Sequence, residues 1–392
     1  GNDSPRPASQ RAAAFILTAA MLTTLAAPAF ADIWHIENGD ITISAGESGN
    51  NVTQNNNTTY GDTNTIITNQ NKDTASSHTV TIEAKDKDDK VEVTLKDVNI
   101  DTSSRNKAAV SVTGEGDTNI KLDGDNALKS DIYRSGIYGS GSLTISGGEN
   151  DSLTAQGGSG ANGISSSGSL TISGGTVTAN GDDGGRGISS SGSVTISGGS
   201  TVTANGGSGT ISGGDGICSS GGVTISGGST VTANGGNGGS LVGGDGIRSG
   251  GGLTVSDGTV TAKGGNGDSK DGYGGDGIRS GGGVTISGNT VNAAGGYGGK
   301  VGGYGICSFD RVAISGGTVE AAGGNGSTGG GSGIYSSVID LSGSLELTAK
   351  AGSPNGKALS QNGDELVLDT IKDKLGPGAK VTATDADGKV ID

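Results

Sequence analysis

The sequence predicts an all-β fold, a right-handed single-stranded parallel β-helix (solenoid) with about 24–31 residues per coil. Three observations predict it. A Gly-Ile step recurs eight times between Gly136 and Ile334, and successive steps are 24–31 residues apart. Within each repeat, apolar and polar residues alternate over short runs, which is the pattern of strands with one buried face. The chain also contains 82 glycines, a density that disfavours helices.

The repeat itself predicts how the coils pack. Most copies read G-I-x-x-x-G-x-[VL]-T-I-S-G-G, followed by T-V-T-A and a glycine-rich stretch. Stacked coils hydrogen-bond to each other at about 4.8 Å, so no single repeat is stable alone. Three aliphatic columns are expected inside: Ile137, Ile164, Ile188, Ile217, Ile247, Ile278, Ile306 and Ile334; Ile145, Ile172, Ile196, Ile225, Val255, Ile286, Ile314 and Leu341; and Leu153, Val177, Val202, Val231, Val260, Val291, Val319 and Leu345.

The first 31 residues have the features of a signal peptide. Arg11 precedes an apolar stretch, and Ala29-Phe30-Ala31 matches a small-x-small cleavage site before Asp32. A membrane helix is the alternative, but the stretch is short, rich in alanine and interrupted by threonines. We therefore expect an exported protein, secreted or on a bacterial cell surface, with no membrane span in its mature form.

The remaining chain divides into three segments by composition. Residues 32–131 alternate without the glycine corners and are expected to form irregular N-terminal coils and a cap, with a loop at Asn50–Tyr60. Residues 132–360 contain the regular glycine-rich repeats. Residues 361–392 keep some alternation and are expected to form a last coil or a C-terminal cap, which would cover the open end.

Charge and residue counts exclude several classes of protein. From Asp32 onward there are 39 acidic and 23 basic residues, which argues against nucleic acid as a partner. His35 and His78 are too isolated for a catalytic or metal cluster. Cys218 and Cys307 occupy equivalent positions three coils apart, roughly 14 Å at strand spacing, so we expect two free thiols.

Differences in repeat length fall mainly between T-V-T-A and the next Gly-Ile step, so the long loops are expected on one side. That side of a solenoid is commonly the binding side. Asp215, Asp245 and Asp276 each precede Gly-Ile there, in three successive coils. Stacked carboxylates with loop carbonyls would suit Ca²⁺. The alternative is that aspartate simply favours a turn before glycine.

Arginines and tyrosines accompany these aspartates. Arg248 and Arg279 follow two of the Gly-Ile steps, and an arginine can grip a uronic acid through paired hydrogen bonds. Each of these arginines forms a pair with the aspartate before the same Gly-Ile step. Such acid–arginine pairs could instead support β-elimination with a metal, or they could form only a solvated ladder of charged side chains. Three tyrosines in the variable loops can stack on sugars or merely fill gaps beside glycine: Tyr273, Tyr297 and Tyr304.

A second outward surface is made of threonines. T-x-T triplets such as Thr201–Thr203 and Thr230–Thr232 recur, and a flat array of this kind occurs on several ice-binding solenoids. Threonine is also simply a good exposed strand residue, and the array ends at Asn292 and Glu320. Ice binding is therefore not expected.

The stretch from Val80 to Asp364 resembles the secreted bacterial carbohydrate-binding-domain β-helix proteins. The similar segments are VEVTLKDVNID, NIKLDGDNALKS, GSLTISGG, GTVTANGDDGGRGISSSGSVTISGG and GGDGIRSGGG. The resemblance implies a pectate-lyase-like fold that binds acidic plant-type polysaccharide, carries calcium and lacks lyase activity. This chain departs from the family in its heavier glycine content and in having D-G-I-R intact at only two steps.

Together these observations predict a non-catalytic carbohydrate-binding or adhesin-like protein. Its partner would be an extracellular polysaccharide, acidic if the family resemblance holds, or a glycan on a host or cell surface. One alternative is a polysaccharide lyase or hydrolase, whose mark would be a cleft with clustered acids and a basic catalytic residue. Another is a structural surface spacer.

Overall fold

A computed structural model describes residues 30–392 and shows a parallel β-solenoid of about 11 coils, which confirms the predicted fold class. The right-handed sense stays a prediction, based on the strong preference of parallel crossover connections. The predicted signal peptide, apart from its last two residues, lies outside the described residues. Within residues 30–392 no helix is long and apolar enough to cross a membrane.

Residues 30–392 form 36 strands and two short 3-10 helices, at Ile36–Asn38 and Leu368–Lys374. In chain order the strands are β1 (Phe30–His35), β2 (Ile41–Ala45), β3 (Asn50–Gln54), β4 (Asn57–Thr68), β5 (Val80–Glu83), β6 (Lys90–Lys96), β7 (Asn99–Asp101), β8 (Val110–Thr113), β9 (Asp117–Asp123), β10 (Asp125–Lys129), β11 (Ile137–Gly139), β12 (Ser142–Ser146), β13 (Ser152–Gln156), β14 (Ile164–Ser166), β15 (Leu170–Ile172), β16 (Thr176–Asn180), β17 (Ile188–Ser190), β18 (Val194–Ile196), β19 (Thr201–Asn205), β20 (Ile217–Ser219), β21 (Gly222–Ile225), β22 (Ser229–Asn234), β23 (Ile247–Ser249), β24 (Gly252–Val255), β25 (Gly258–Lys263), β26 (Ile278–Ser280), β27 (Val284–Ile286), β28 (Thr290–Ala294), β29 (Ile306–Ile314), β30 (Thr318–Ala322), β31 (Ile334–Leu341), β32 (Glu346–Lys350), β33 (Leu359–Gln361), β34 (Asp364–Glu365), β35 (Lys380–Thr384) and β36 (Val390–Ile391).

Each regular coil contributes one strand to each of three parallel faces. The first face contains the strands that carry the isoleucine of the Gly-Ile step, such as β14, β17 and β20. The second face contains the L-T-I and V-T-I strands, such as β15 and β18. The third face contains the T-V-T-A strands and forms a separate 12-stranded sheet from β7 to β36. Strands β29 and β31 are long enough to belong to both of the first two faces.

The predicted interior columns pair in register, with one correction. The isoleucines of the Gly-Ile steps are fully buried from Ile137 to Ile334. In the third column Val319 pairs with Leu347, so the prediction of Leu345 at that position was wrong. The segment Leu345-Glu346-Leu347 has two leucines in phase with a strand, and both are buried, so alternation alone cannot decide which one continues the column.

The glycine-rich segments stack into an ordered layer beside the first face. Gly236 donates its backbone N–H to the carbonyl of Gly214, and Gly244 donates to the carbonyl of Gly236, both at 2.8 Å. A β-carbon on Gly244 would lie 1.9 Å from the Gly214 carbonyl oxygen, so only glycine fits there. The outer part of the layer is also in register, through single bridges that link Gly209, Gly238, Gly267, Gly298 and Gly326.

The predicted loop at Asn50–Tyr60 was wrong, because this segment is a β-hairpin. Strands β3 and β4 pair antiparallel around Asn55 and Asn56, whose φ angles are 54° and 64°. Two residues with positive φ are the requirement of a type I′ turn, and asparagine tolerates that conformation. In the sequence, the Asn-Asn pair between two runs of alternating residues is the feature that could have indicated this hairpin.

The C-terminal segment packs against the last coils. Strand β35 continues the third face by pairing with β32, and β36 folds back antiparallel on β35. Leu366 and Ile371, which flank and occupy the second 3-10 helix, are buried.

The threonine triplets lie in register on the third face. Thr201 pairs with Thr230, which pairs with Thr259, and Thr203 pairs with Thr232 in the same way. Their neighbours Val202 and Val231 point inward and are buried. The predicted outward threonine columns are thus confirmed, while their function stays untested.

Candidate functional site

The candidate site is built from two positions of the repeat on the first face. One is the residue before Gly-Ile, and the other is the residue after it, which points outward because the isoleucine points inward. The outward residues Cys218, Arg248 and Arg279 pair in register in successive coils. Both positions border one cleft of about 740 Å³, here called the first cleft, which is lined by Arg186, Asp215, Asp245, Arg248, Tyr273, Asp276, Arg279 and Tyr304 together with glycines of the stacked layer.

The first cleft brings together seven of the eight predicted site residues. The exception is Tyr297, which is exposed outside it and donates its backbone N–H to the Asn266 side chain. Sequence reasoning missed Arg186 and Asn162, which also line this cleft. The signal was available, since both residues stand immediately before a Gly-Ile step, where Asp215 stands in the next coil.

The three aspartates form a hydrogen-bonded row. One oxygen of Asp215 accepts the backbone N–H of Asp245, and one oxygen of Asp245 accepts that of Asp276, both at 2.8 Å. Asp276 in turn accepts the backbone N–H of Tyr304 at 2.8 Å. All three aspartates are buried. Each carboxylate therefore fixes the position of the next coil, and the row is held rigidly.

Two arginines are ion-paired to this row and one is not. Arg186 Nε lies 3.2 Å from Asp215, and an Arg279 nitrogen lies 3.3 Å from Asp276. Arg279 also lies over the ring of Phe309, 4.9 Å from its centroid, in cation–π geometry. Arg248 is exposed at the mouth of the cleft between these pairs, and it forms no ion pair with another residue of 30–392.

Burial affects the ionisation of two aspartates of the row. Burial, and then the neighbouring carboxylates of Asp276 and Asp215, raise the pKa of Asp245 well above its usual value. Burial raises the pKa of Asp276 to about 6, against the opposing effects of the Tyr304 N–H and Arg279. Asp245 is therefore harder to ionise than an ordinary aspartate, whereas Asp276 is mostly ionised at pH 7. Arg248 lowers the pKa of Asp276 through space but forms no ion pair with it.

The row does not fit the predicted calcium site. One oxygen of each aspartate already accepts a backbone N–H, and the other oxygen of Asp215 and of Asp276 bonds to an arginine. Ca²⁺ requires six to eight oxygen ligands, and a neighbouring guanidinium repels it. Among residues 30–392 no group of three or more His, Cys, Asp or Glu side chains is placed to hold a metal ion.

The remaining side chains of the cleft are neutral. Tyr304 stacks on Tyr335 with the ring centroids 4.6 Å apart, and burial raises its pKa to about 12. Tyr273 is partly exposed at the rim. Cys218 and Cys307, which pair in register with Arg248 and Arg279 but do not line the cleft, are free, as predicted, and burial raises the pKa of both thiols. Neither cysteine is therefore an activated nucleophile.

Comparisons of the chain with protein-family models, with curated proteins and with solved structures found no match. Of what the resemblance to carbohydrate-binding β-helix proteins implies, the structure confirms the parallel β-solenoid.

Proposed function

We propose that this protein is an exported, non-catalytic module that binds an acidic extracellular polysaccharide in the first cleft. The observation that carries the proposal is Arg248, an exposed and unpaired arginine between two ion-paired ones. A guanidinium forms paired, charge-assisted hydrogen bonds with a carboxylate, which is the acidic group of a uronic acid.

The surroundings of Arg248 suit a sugar ligand. Arg186 and Arg279 are ion-paired with Asp215 and Asp276, so Arg248 is the arginine of the cleft whose guanidinium is free to bind a ligand carboxylate. The carboxyl group of Asp245 also lines the cleft and can form a hydrogen bond with a sugar hydroxyl group. Tyr273 at the rim offers a partly exposed ring for the apolar face of a sugar.

Calorimetric titration with polygalacturonate at pH 7 tests this proposal, because its methyl-esterified form has the same backbone without the charge. We expect binding of the acid and much weaker binding of the ester. Arg248→Gln should weaken binding about 10–100-fold, since it removes a charged hydrogen-bond donor. The matched control, Lys263→Gln, removes an exposed cation from the third face and should leave affinity unchanged.

Tyrosine variants provide a second comparison in the same titration. Tyr273→Ala should weaken binding several-fold, whereas Tyr297→Ala, at an equally exposed tyrosine outside the cleft, should not. Equal affinity for the acid and the ester, or an unchanged affinity of Arg248→Gln, would contradict the proposal. A purely structural spacer would bind neither polymer.

Hydrolysis of the polysaccharide is a second candidate, favoured by one observation. Asp245, whose pKa is raised, lies beside Asp276 in the row, and an acid of raised pKa next to a carboxylate is the arrangement that glycoside hydrolysis uses. Both carboxylates are held by backbone N–H groups, which is why we place binding first. Reducing ends and unsaturated uronates measured in the titrated samples distinguish the two. Turnover that Asp245→Asn abolishes would favour an enzyme.

A further inference from the structure

A second cleft of about 590 Å³ lies on the same side of the solenoid, nearer the N-terminus. Its side chains include Lys107, Tyr133, Arg134, Tyr138 and Ser165. Gly160 and Asn162 line both the first and the second cleft, so the two cavities meet at these residues.

A single column of outward residues contributes side chains to both clefts. It begins at Thr81 in the second cleft, continues through Ser111, Tyr138 and Ser165, and reaches Arg279 in the first. The intervening residues Ser189 and Cys218 pair in register in the same way but line neither cleft, so the two cavities are joined through Gly160 and Asn162. Thr81 and Arg279 are seven coils apart, which is about 34 Å at the usual strand spacing.

The second cleft has the chemistry of a sugar site. Tyr133 is 80% exposed and Tyr138 is 48% exposed, so both rings are largely open to solvent. A β-carbon on Gly160 would lie 2.9 Å from a ring carbon of Tyr133, so this ring lies against the glycine at the junction of the clefts. Lys107 and Arg134 supply positive charge, and the lining of this cleft contains no acidic residue.

We propose that the two clefts form one groove parallel to the solenoid axis, and that its ligand is a linear acidic polysaccharide of about seven sugars. This inference rests on the proposed function of the first cleft. An extended sugar chain advances by about one coil spacing per residue, so successive sugars meet successive coils. Tyr133 and Tyr138 contact the sugars beyond Asn162, and the linked subsites increase affinity for long chains.

Titration with galacturonic acid oligomers of two lengths tests this inference. We expect the wild-type protein to bind an octamer at least tenfold more tightly than a dimer, because only the octamer reaches both clefts. Tyr133→Ala combined with Tyr138→Ala should remove most of that gain while the affinity for the dimer stays unchanged. Tyr60→Ala, at an exposed tyrosine of the N-terminal hairpin outside both clefts, is the matched control.

The outcomes separate this inference from the proposed function. Equal affinity of the wild-type protein for dimer and octamer would overturn the extended groove and leave the first cleft as a binding site. A length gain that survives in the double tyrosine variant would also overturn it. Failure of both oligomers and of polygalacturonate to bind would overturn the proposed function, and the extended groove with it. Circular dichroism of each variant checks that the solenoid is folded.

Discussion

At the scale of single residues, the ionisation of Asp245 is controlled by its neighbours in the row. It is buried between Asp215 and Asp276 in the stacked row, and its own oxygen accepts the backbone N–H of Asp276. Its raised pKa means that the folded state holds a proton which the unfolded chain releases at a lower pH. The stabilisation of the folded state by this proton is therefore complete below the ordinary carboxyl pKa, and it is lost as the pH rises through the folded-state pKa of Asp245.

Asp245→Asn should remove most of this pH dependence, because asparagine stays neutral and can still accept the Asp276 N–H. We expect the melting temperature of the variant to exceed that of the wild type by about 2–4 °C at pH 8, and to match it at pH 4. Scanning calorimetry from pH 4 to pH 8 measures both. Asp271→Asn, at an exposed aspartate of the same loop region, should follow the wild type. An equal effect of Asp245→Asn at both pH values would contradict a raised pKa of Asp245 in the folded protein.

The sequence predicted which residues line the first cleft better than it predicted their ionisation and ion pairs. Asp215, Asp245 and Arg248 could be placed because their distance from the Gly-Ile step fixes their position on the face. Tyr297 could not be excluded, since its place depends on how a glycine-rich loop folds. The unpaired state of Arg248 depends on contacts across coils, which spacing alone does not reveal.

At the scale of elements, the glycine-rich segments are as ordered as the strands. Gly214, Gly236 and Gly244 approach so closely that their backbones hydrogen-bond directly, and Gly214 and Gly244 line the first cleft. Their sequence suggested variable loops, because a glycine run carries no alternating pattern. The sequence does not reveal that these glycine backbones pack directly against one another, which is possible only because glycine has no side chain.

Gly244→Ala should destabilise the protein by about 2–3 kcal/mol, because its β-carbon would meet the Gly214 carbonyl oxygen at 1.9 Å. Gly283→Ala is the matched control, since its β-carbon would have no contact closer than 3.7 Å. Urea unfolding of both variants measures the difference. Equal stability of the two variants would show that the glycine layer is loosely packed.

At the scale of the whole molecule, the faces of the solenoid differ in chemistry. The first face and the adjoining glycine layer carry the charged and aromatic residues of both clefts, whereas the third face carries threonine columns. The sequence period predicted this division because a repeat assigns each position to one face. The second cleft and its junction with the first could not be predicted, since residues 106–135 belong to the less regular coils and follow no clear repeat.

Hydroxyl-radical footprinting tests most directly whether this face binds the polysaccharide. Five exposed tyrosines serve as probes within one molecule. Three of them line the clefts, Tyr133, Tyr138 and Tyr273, while Tyr60 and Tyr297 lie outside. We predict that polygalacturonate slows the oxidation of the three cleft tyrosines and leaves the other two unchanged. Equal protection of all five, or protection of Tyr60 and Tyr297 alone, would contradict binding in the groove.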